Sequence, residues 1–498
     1  MGVVIKQSIR ATIHVYVGVV IGFITAVVVF PRIFTPEQVG LLNILTQISL
    51  LISQFGIFGL PGIITYYFFH FQNKEKGHNG FPVIITWGTV IGSVISILFL
   101  ICAKSLILEK YTNPLFGRYY WQLITLTTFS IIYINLDCYY KGFYNVVLAT
   151  FLKETLQRLL LLIAAVFFIF KFCTFDGYVV LYSVAAVIPV IWLMIAIIKD
   201  GHFPWKPNWK FLTPSLRKGM LTVGFYNLLT SISSYSNGVV DNIMISSMCG
   251  LPKGGIYTTT ILFGMLVSIP SRTVRKISLT LMSEAWKEDD HEKVFDLYQK
   301  SCITLFIIGF LILLGVWTNI DNILQILPHE YSIGKWAILW SCITNLIEMT
   351  VGSAGSLIGT SKHYKVQTYQ SIMLVGFLVI TNYIFIPIWG LTGAAFATTM
   401  SFLTYNSIRH FYIMYRWKMQ PYGKEFIYVM ILGIATYVIV YFIPHFPFYM
   451  IDAVMRSALV CILFGLSVYF MKISPEINNT IEGLLKKLPV LNKLIKIK

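Results

Sequence analysis

Long apolar stretches separated by short polar segments recur along almost the whole chain. An α-helix needs roughly 20 apolar residues to cross the ~30 Å hydrocarbon core of a bilayer. The pattern therefore predicts an all-α membrane protein of about 14 transmembrane helices. The predicted spans are residues 11–30, 38–68, 81–103, 119–145, 147–170, 177–198, 219–247, 255–275, 300–320, 335–358, 367–390, 391–414, 426–447 and 451–471.

The second predicted span carries a start signal and a weak point. It begins with Thr35-Pro36-Glu37-Gln38, an order that predicts an N-cap, a proline in the first helical position and a capping box. Gly56, Gly59, Pro61 and Gly62 follow inside the same apolar run. Proline removes a backbone donor and glycine tolerates distortion, so we expect the helix to bend or break there.

Two pairs of glycines suggest an internal repeat. Gly40 and Gly255 open the second and eighth spans 215 residues apart, and Gly177 and Gly393 lie 216 residues apart in the sixth and twelfth. The same offset carries spans one to six onto spans seven to twelve, as in parallel repeats related by an axis along the membrane normal. The predicted organisation is an N-terminal six-helix bundle at 1–198, a cytoplasmic linker at 199–218, a C-terminal six-helix bundle at 219–414, two extra transmembrane helices at 415–474 and a basic amphipathic cytoplasmic tail at 475–498.

Composition and charge set the orientation and exclude other classes. The 498 residues are 56% hydrophobic and carry a net charge of +17. Most Lys and Arg residues lie in short loops on the side of the membrane where the N-terminus is predicted. This distribution predicts that both termini are cytoplasmic, and it explains the positive charge without nucleic-acid binding. The seven cysteines are scattered, and the sequence contains no Walker A, GxSxG or HExxH motif. We therefore expect no metal or cofactor and no enzymatic activity.

Three stretches of the chain resemble one family. They read RIFTPEQVGLLNIL at 32–45, DNIMISSMCGLPKGGIYTTTILFG at 241–264 and NYIFIPIWGLTGAAFATTMSF at 382–402. In order and spacing they are similar to the bacterial polysaccharide exporters. These are the O-antigen and capsule repeat-unit flippases of the multidrug/oligosaccharidyl-lipid/polysaccharide exporter superfamily.

The resemblance implies a fold and a cargo. The fold would be two bundles around a central lumen that opens alternately to either side of the bacterial inner membrane. The cargo would be an undecaprenyl-pyrophosphate-linked oligosaccharide moved from the cytoplasmic to the outer face. A polysaccharide polymerase and chain-length machinery would be its partners.

Ionisable residues inside the predicted spans are the candidate site residues. Each costs ~2.5–3.5 kcal/mol at mid-membrane on insertion scales, so such residues face a wet cavity or a partner. A pyrophosphate needs cations, and the candidate substrate-binding cations are Arg10, Lys141, Lys153, Arg158, Arg272 and Arg275. The candidate coupling or gating residues, with H⁺ or Na⁺ as the coupling ion, are Asp241, Glu348, Asp137, Glu154 and His14.

Several of these residues also fit simpler structural roles. Asp137–Lys141 and Glu154–Arg158 are four residues apart and fit plain ion pairs within a helix. Arg272 and Arg275 also fit anchors of a helix end at the cytoplasmic headgroups, and His14 also fits a hydrogen-bonded buried histidine. Asp241 has no basic residue within a helical turn, which favours ion coupling or gating. In the last span, Asp452 and Arg456 are predicted to form a structural pair.

Two other functions remain open from the sequence. One is a cation-coupled multidrug antiporter of the same superfamily, which typically has twelve spans and an acid-rich cavity. The other is a membrane-embedded polysaccharide polymerase or ligase, which would carry catalytic residues on a long external loop. The longest predicted external loop, residues 104–118, has no such constellation.

Overall fold

The computed structural model describes residues 2–73, 77–203, 208–363 and 365–487, and these residues contain helices and no strand. The predicted all-α class is confirmed. The helices are α1 (Gly2–Phe23), α2 (Phe30–Ile33), α3 (Pro36–Gly56), α4 (Leu60–Phe71), α5 (Phe81–Cys102), α6 (Lys104–Lys110), α7 (Pro114–Arg118), α8 (Gln122–Gly142), α9 (Val146–Thr150), α10 (Gln157–Ile169), α11 (Phe175–Lys199), α12 (Pro214–Ser236), α13 (Val240–Cys249), α14 (Leu251–Ser268), α15 (Ser271–Lys287), α16 (His291–Thr318), α17 (Ile320–Ile326), α18 (Lys335–Thr350), α19 (Ala354–Thr360), α20 (Lys365–Trp417), α21 (Lys424–Tyr441), α22 (Tyr449–Phe470) and α23 (Pro475–Lys487).

The chain divides into two compact units, Met1–Thr259 and Thr260–Lys498, with the division inside α14. We call them unit 1 and unit 2. The predicted six-helix bundles at 1–198 and 219–414 stay a prediction. Part of the predicted linker, residues 204–207, and the end of the predicted tail, residues 488–498, lie outside the described residues.

In unit 1 the second predicted span starts and breaks where the sequence indicates. Thr35 caps α3: its side chain accepts from the Gln38 backbone N–H at 3.3 Å, and the Gln38 side chain accepts from the Thr35 N–H at 3.1 Å. The helix ends at Gly56, and α4 begins after two left-handed residues, Phe58 (φ 48°) and Gly59 (φ 65°). The capping box and the break are both confirmed.

Two glycines of the proposed repeat meet where α3 approaches the start of α14. A side chain at Gly40 would collide with the backbone oxygen of Leu251, and one at Gly255 would collide with that of Pro36. These helices therefore touch backbone to backbone, an approach that only glycine permits.

In unit 2 the long helix α20 is a hairpin. It contains 53 residues, and Gly390 inside it has φ 55° and ψ −125°. The Thr381 and Ser401 hydroxyls lie 2.7 Å apart, so the chain folds back on itself at this glycine. The fold-back falls at the predicted boundary between spans eleven and twelve, residues 390 and 391.

The last two membrane helices are joined by a buried polar network. Arg456 donates from Nε to Asp452 at 2.8 Å, and its Nη1 donates to the Val440 backbone oxygen at 2.9 Å. Asn322 of α17 donates to the same Asp452 carboxylate at 2.7 Å. The predicted structural pair is confirmed, and it also ties α22 to α17.

Within the described part of the chain, eight helices are long and apolar enough to cross a membrane, or up to ten if two bent pairs are each one span. The protein is thus a multi-pass membrane protein, and the count of fourteen stays a prediction. Two features explain the difference between the fourteen predicted spans and the eight to ten helices counted in the structure. The α20 hairpin enters as one helix, and none of the counted helices or bent pairs covers the predicted spans 119–145, 147–170 and 219–247.

Candidate functional site

The predicted site residues fall into two charged clusters, one in each unit, and three separate positions. The unit-1 charge cluster consists of Asp137, Lys141, Lys153, Glu154 and Arg158. The unit-2 charge cluster is built around Arg275 and Glu348. The separate positions are Arg10 with His14, Arg272, and Asp241.

The unit-1 charge cluster contains two ion pairs. Lys141 Nζ lies 2.7 Å from Asp137 Oδ2 near the end of α8, and Arg158 Nη2 lies 2.9 Å from Glu154 Oε2. All four side chains are partly exposed. The ion-pair interpretation therefore holds for both pairs, and partial exposure leaves each pair accessible to a ligand.

A π-helical turn, Phe151–Leu156, presents the remaining cation of this cluster. Lys153 Nζ lies 5.1 Å from the centre of the Tyr133 ring, a cation–π contact. It also interacts electrostatically with both carboxylates of the cluster. Gly18 of α1 allows the Glu154 backbone to approach closely. The Gly18 carbonyl accepts a hydrogen bond from Arg158 Nη1 at 2.6 Å. π-Helical turns like the one at Phe151–Leu156 occur often at functional sites.

His14 and Arg10 lie on α1 beside this cluster's turn. The His14 backbone oxygen accepts from the Thr155 hydroxyl at 3.0 Å, and its ring meets the edge of Phe151 at 5.2 Å. The His14 side chain also lines a cavity of about 330 Å³ together with Tyr140. Arg10 is exposed.

In unit 2 the structure brings two predicted residues together that the sequence treats separately. Arg275 Nη1 lies 3.1 Å from Glu348 Oε1, and Nη2 donates to the Glu348 backbone oxygen at 2.9 Å. The second carboxylate oxygen accepts from Asn406 Nδ2 at 3.0 Å. A candidate substrate cation and a candidate coupling acid are thus one ion pair.

Arg409 completes the unit-2 charge cluster and was missed by the sequence reasoning. It is 7% exposed, stacks over Tyr405 at 4.3 Å and interacts electrostatically with Glu348 and Arg275. It lies inside the predicted span 391–414, so the rule that flagged the other residues applies to it as well.

Both arginines of the unit-2 charge cluster retain hydrogen-bonding capacity. The buried Nε atoms of Arg275 and Arg409 have no hydrogen-bond partner within the described ranges. A buried donor without an acceptor costs ~1–3 kcal/mol, and more when charged, so it favours binding of an anion. Guanidinium groups match phosphate oxygens in a bidentate manner.

The two remaining residues lie apart from both clusters. Arg272 is exposed at the start of α15. Asp241 is buried in the first turn of α13, where it accepts from the Tyr257 hydroxyl at 2.6 Å and from the Asn242 backbone N–H at 2.8 Å. The bond from Tyr257 fastens α13 to α14, which gives Asp241 a structural contact beside its predicted coupling role.

Charge balance sets what the clusters can bind. The unit-1 charge cluster holds three cations and two carboxylates. The unit-2 charge cluster holds two cations and one carboxylate. Each therefore has one cation in surplus, which suits an anionic ligand better than a cationic one.

Sequence comparison identifies a family. The profile of a family described as polysaccharide biosynthesis protein matches residues 4–280, more than half of the chain. No curated protein matches the chain.

Structure comparison identifies the fold. The chain is similar to the lipid II flippase MurJ in an inward closed conformation, with a TM-score of 0.73 and 13% identity over 94% of this chain and 100% of that one. It is similar to an inward-facing multidrug resistance MATE family transporter of the MOP superfamily (TM-score 0.60, 15% identity, 83% and 98% covered). A MATE transporter from Vibrio cholerae gives a TM-score of 0.55 at 12% identity, with 84% and 99% covered. At such identities the likeness shows the fold alone.

Proposed function

The chain belongs to the family of polysaccharide biosynthesis proteins, and from this premise we propose that it is a flippase for a lipid-linked oligosaccharide. The family and the flippase-like fold support transport of a lipid-linked substrate in general. The proposed cargo is an undecaprenyl-pyrophosphate-linked oligosaccharide, carried by alternating access from the cytoplasmic to the outer face of the bacterial inner membrane. The flipped repeat units would then pass to a polysaccharide polymerase and its chain-length machinery.

One observation carries the proposal: the unit-2 charge cluster contains two arginines and only one carboxylate. Glu348 pairs with Arg275, while the buried Arg409 lies nearby with an unbonded Nε. In our proposal Glu348 occupies the position of the substrate anion when no substrate is bound. An arriving phosphate displaces the carboxylate and takes bidentate bonds from the guanidinium groups. When the phosphate leaves, Glu348 returns and prevents an uncompensated buried charge.

The unit-1 charge cluster is proposed as a second contact for the polar part of the cargo. Lys153 is its surplus cation, while Lys141 and Arg158 are held by their carboxylate partners. Because each cluster has only one surplus cation, a phosphate bound at either cluster is not trapped by excess positive charge. The affinity of each cluster for the phosphate must stay moderate, because the cargo has to be released after transport.

The driving force in this proposal is the membrane potential. An inside-negative potential favours outward movement of negative charge by ~2.3 kcal/mol per charge per 100 mV. Coupling to H⁺ or Na⁺ through Asp241 or Glu348 is a separate proposal. It fails if flipping in vesicles survives neutralisation of both acids.

A cation-coupled drug antiporter is the alternative that the fold also allows. The surplus of cations in both clusters speaks against a cationic drug, since like charges repel. No catalytic step is proposed, because the family and the similar folds point to transport.

A substrate panel in proteoliposomes tests the proposed function. Fluorescent lipids carrying an oligosaccharide through a pyrophosphate, a monophosphate or an uncharged linkage are placed in one leaflet, and label reaching the other leaflet is followed. We expect protein-dependent flipping of the pyrophosphate lipid and little of the uncharged one. Efflux of a cationic dye without any lipid flipping would favour the antiporter instead.

A further inference from the structure

A polar cavity in unit 2 is lined by none of the residues of either charge cluster. It measures about 370 Å³ and is formed where α15 ends, where α19 turns into α20 and where α20 ends. Its cationic lining residues are Lys287, Lys362 and Arg416, against a single acid, Asp289. We call it the tryptophan cavity, after Trp286 and Trp417 in its wall.

The two tryptophans are held in place by specific contacts. Their rings lie 5.6 Å apart at 46°. Trp286 donates from its indole nitrogen to the Leu357 backbone oxygen at 3.2 Å, and Trp417 meets the edges of Tyr412 and His363. An indole wall fixed in this way presents apolar area at a constant position.

The cationic side is also organised. Arg416 Nε donates to His363 Nε2 at 3.1 Å, which orients the guanidinium at the edge of the cavity. Lys287 and Lys362 are exposed and come from different elements. Asp289 lies 3.6 Å from His291, so the acid has a basic neighbour of its own. The lining is therefore basic overall.

The cavity lies close to the predicted ends of two membrane spans. The predicted spans end at residues 358 and 414, and Thr360–His363 and Arg416–Trp417 follow within five residues. At 1.5 Å per residue this is about 8 Å, the depth of the headgroup layer. The same loops are predicted to be cytoplasmic, the side whose leaflet carries anionic lipids.

We propose that the tryptophan cavity binds the phosphate of an anionic phospholipid headgroup at the cytoplasmic surface. The three cations bind the phosphate oxygens. The indole wall contacts the apolar groups of the lipid next to the phosphate. Tryptophan at the headgroup level and basic pockets at helix ends are both suited to this chemistry. This site is separate from the proposed substrate site, and flipping of the cargo does not depend on the argument for it.

Quenching of tryptophan fluorescence by brominated lipids tests this site in the full chain. The protein is reconstituted in phosphatidylcholine with small amounts of brominated phosphatidylglycerol or of brominated phosphatidylcholine. We expect stronger quenching by phosphatidylglycerol, with a selective part that disappears in the Trp286→Phe/Trp417→Phe variant. Equal quenching by the two lipids overturns the proposal.

Charge variants identify the cations. Each of Lys287→Gln, Lys362→Gln and Arg416→Gln is expected to weaken phosphatidylglycerol binding by about fivefold. The matched control removes three exposed cations of the predicted opposite side, Arg32, Lys110 and Lys171, and leaves the selectivity unchanged. Unchanged binding in the single variant Lys362→Gln, which alters only an exposed turn, contradicts the proposal.

One more arm separates a lipid from a soluble phosphate ester. If millimolar inorganic phosphate leaves the selective quenching intact, the lipid is the ligand. Complete displacement by inorganic phosphate overturns the assignment to a lipid headgroup and gives the cavity to a soluble phosphate.

Discussion

At the residue scale, the proposed mechanism requires that the Glu348 carboxylate occupies the position of the substrate anion when no substrate is bound. Replacing it by Gln frees Arg275 from its ion pair. A charge-assisted hydrogen bond contributes ~1.5–3 kcal/mol, so we expect Glu348→Gln to bind a short-chain lipid pyrophosphate about tenfold more tightly. Titration calorimetry measures this. Glu330→Gln, an exposed acid outside the cluster, is the control and keeps the wild-type affinity.

A second prediction at this scale concerns the pair in α22. Both Arg456 and Asp452 are almost fully buried, so Arg456→Leu removes the buried cation of the pair and is expected to cost ~3–5 kcal/mol of stability. Thermal unfolding in detergent measures the loss. The exposed pair Arg118–Asp176 is the control, and Arg118→Gln should cost below ~1 kcal/mol. Equal shifts in the two variants contradict the structural role.

The sequence predicted ion pairs between residues that are close in the chain, but not between residues that are far apart in it. Asp452 and Arg456 are one helical turn apart, so spacing alone predicted their contact. Arg275 and Glu348 are far apart in the chain, and no local rule indicates that they meet. Arg409 was missed because its position near a span end resembles that of a loop cation. Buried charges can be found from sequence, whereas their partners depend on tertiary packing.

At the element scale the contact between α3 and α14 is the sharpest feature. Gly40→Ala places a methyl group against the Leu251 backbone oxygen, so these helices must separate. We expect a lower melting temperature and loss of flipping. Gly376→Ala in α20 meets open space and should be neutral or slightly stabilising, because alanine favours helix over glycine. A melting temperature for Gly40→Ala equal to that of Gly376→Ala contradicts this packing.

Element boundaries were predictable where turn chemistry fixes them. The capping box at Thr35, the break after Gly56 and the fold-back at Gly390 all follow residues with special backbone preferences. The π-helical turn at Phe151–Leu156 gives no comparable signal, because it contains neither glycine nor proline, and its close approach to Gly18 of α1 depends on tertiary packing. Similarly, the repeat spacing paired Gly40 with Gly255 but did not predict that these helices touch.

At the scale of the whole molecule, composition and span pattern were enough for the fold class. The family match over residues 4–280, which contains two of the three short stretches, agrees with the resemblance, and so does the fold similarity to the MurJ and MATE structures. Substrate identity depends on features that fold does not determine, namely which buried cations are in surplus. In the proposed mechanism a lipid pyrophosphate moves through a site containing Arg275 and Arg409.

The most direct measurement compares flipping rates in proteoliposomes with and without an inside-negative potential. The samples are wild type, the Arg275→Gln/Arg409→Gln variant and the exposed control Arg217→Gln. We predict that the potential accelerates flipping of the lipid-pyrophosphate oligosaccharide by wild type and control. The double variant, folded as judged by its melting temperature, should lose at least tenfold in rate. Wild-type flipping by a folded double variant would contradict the account.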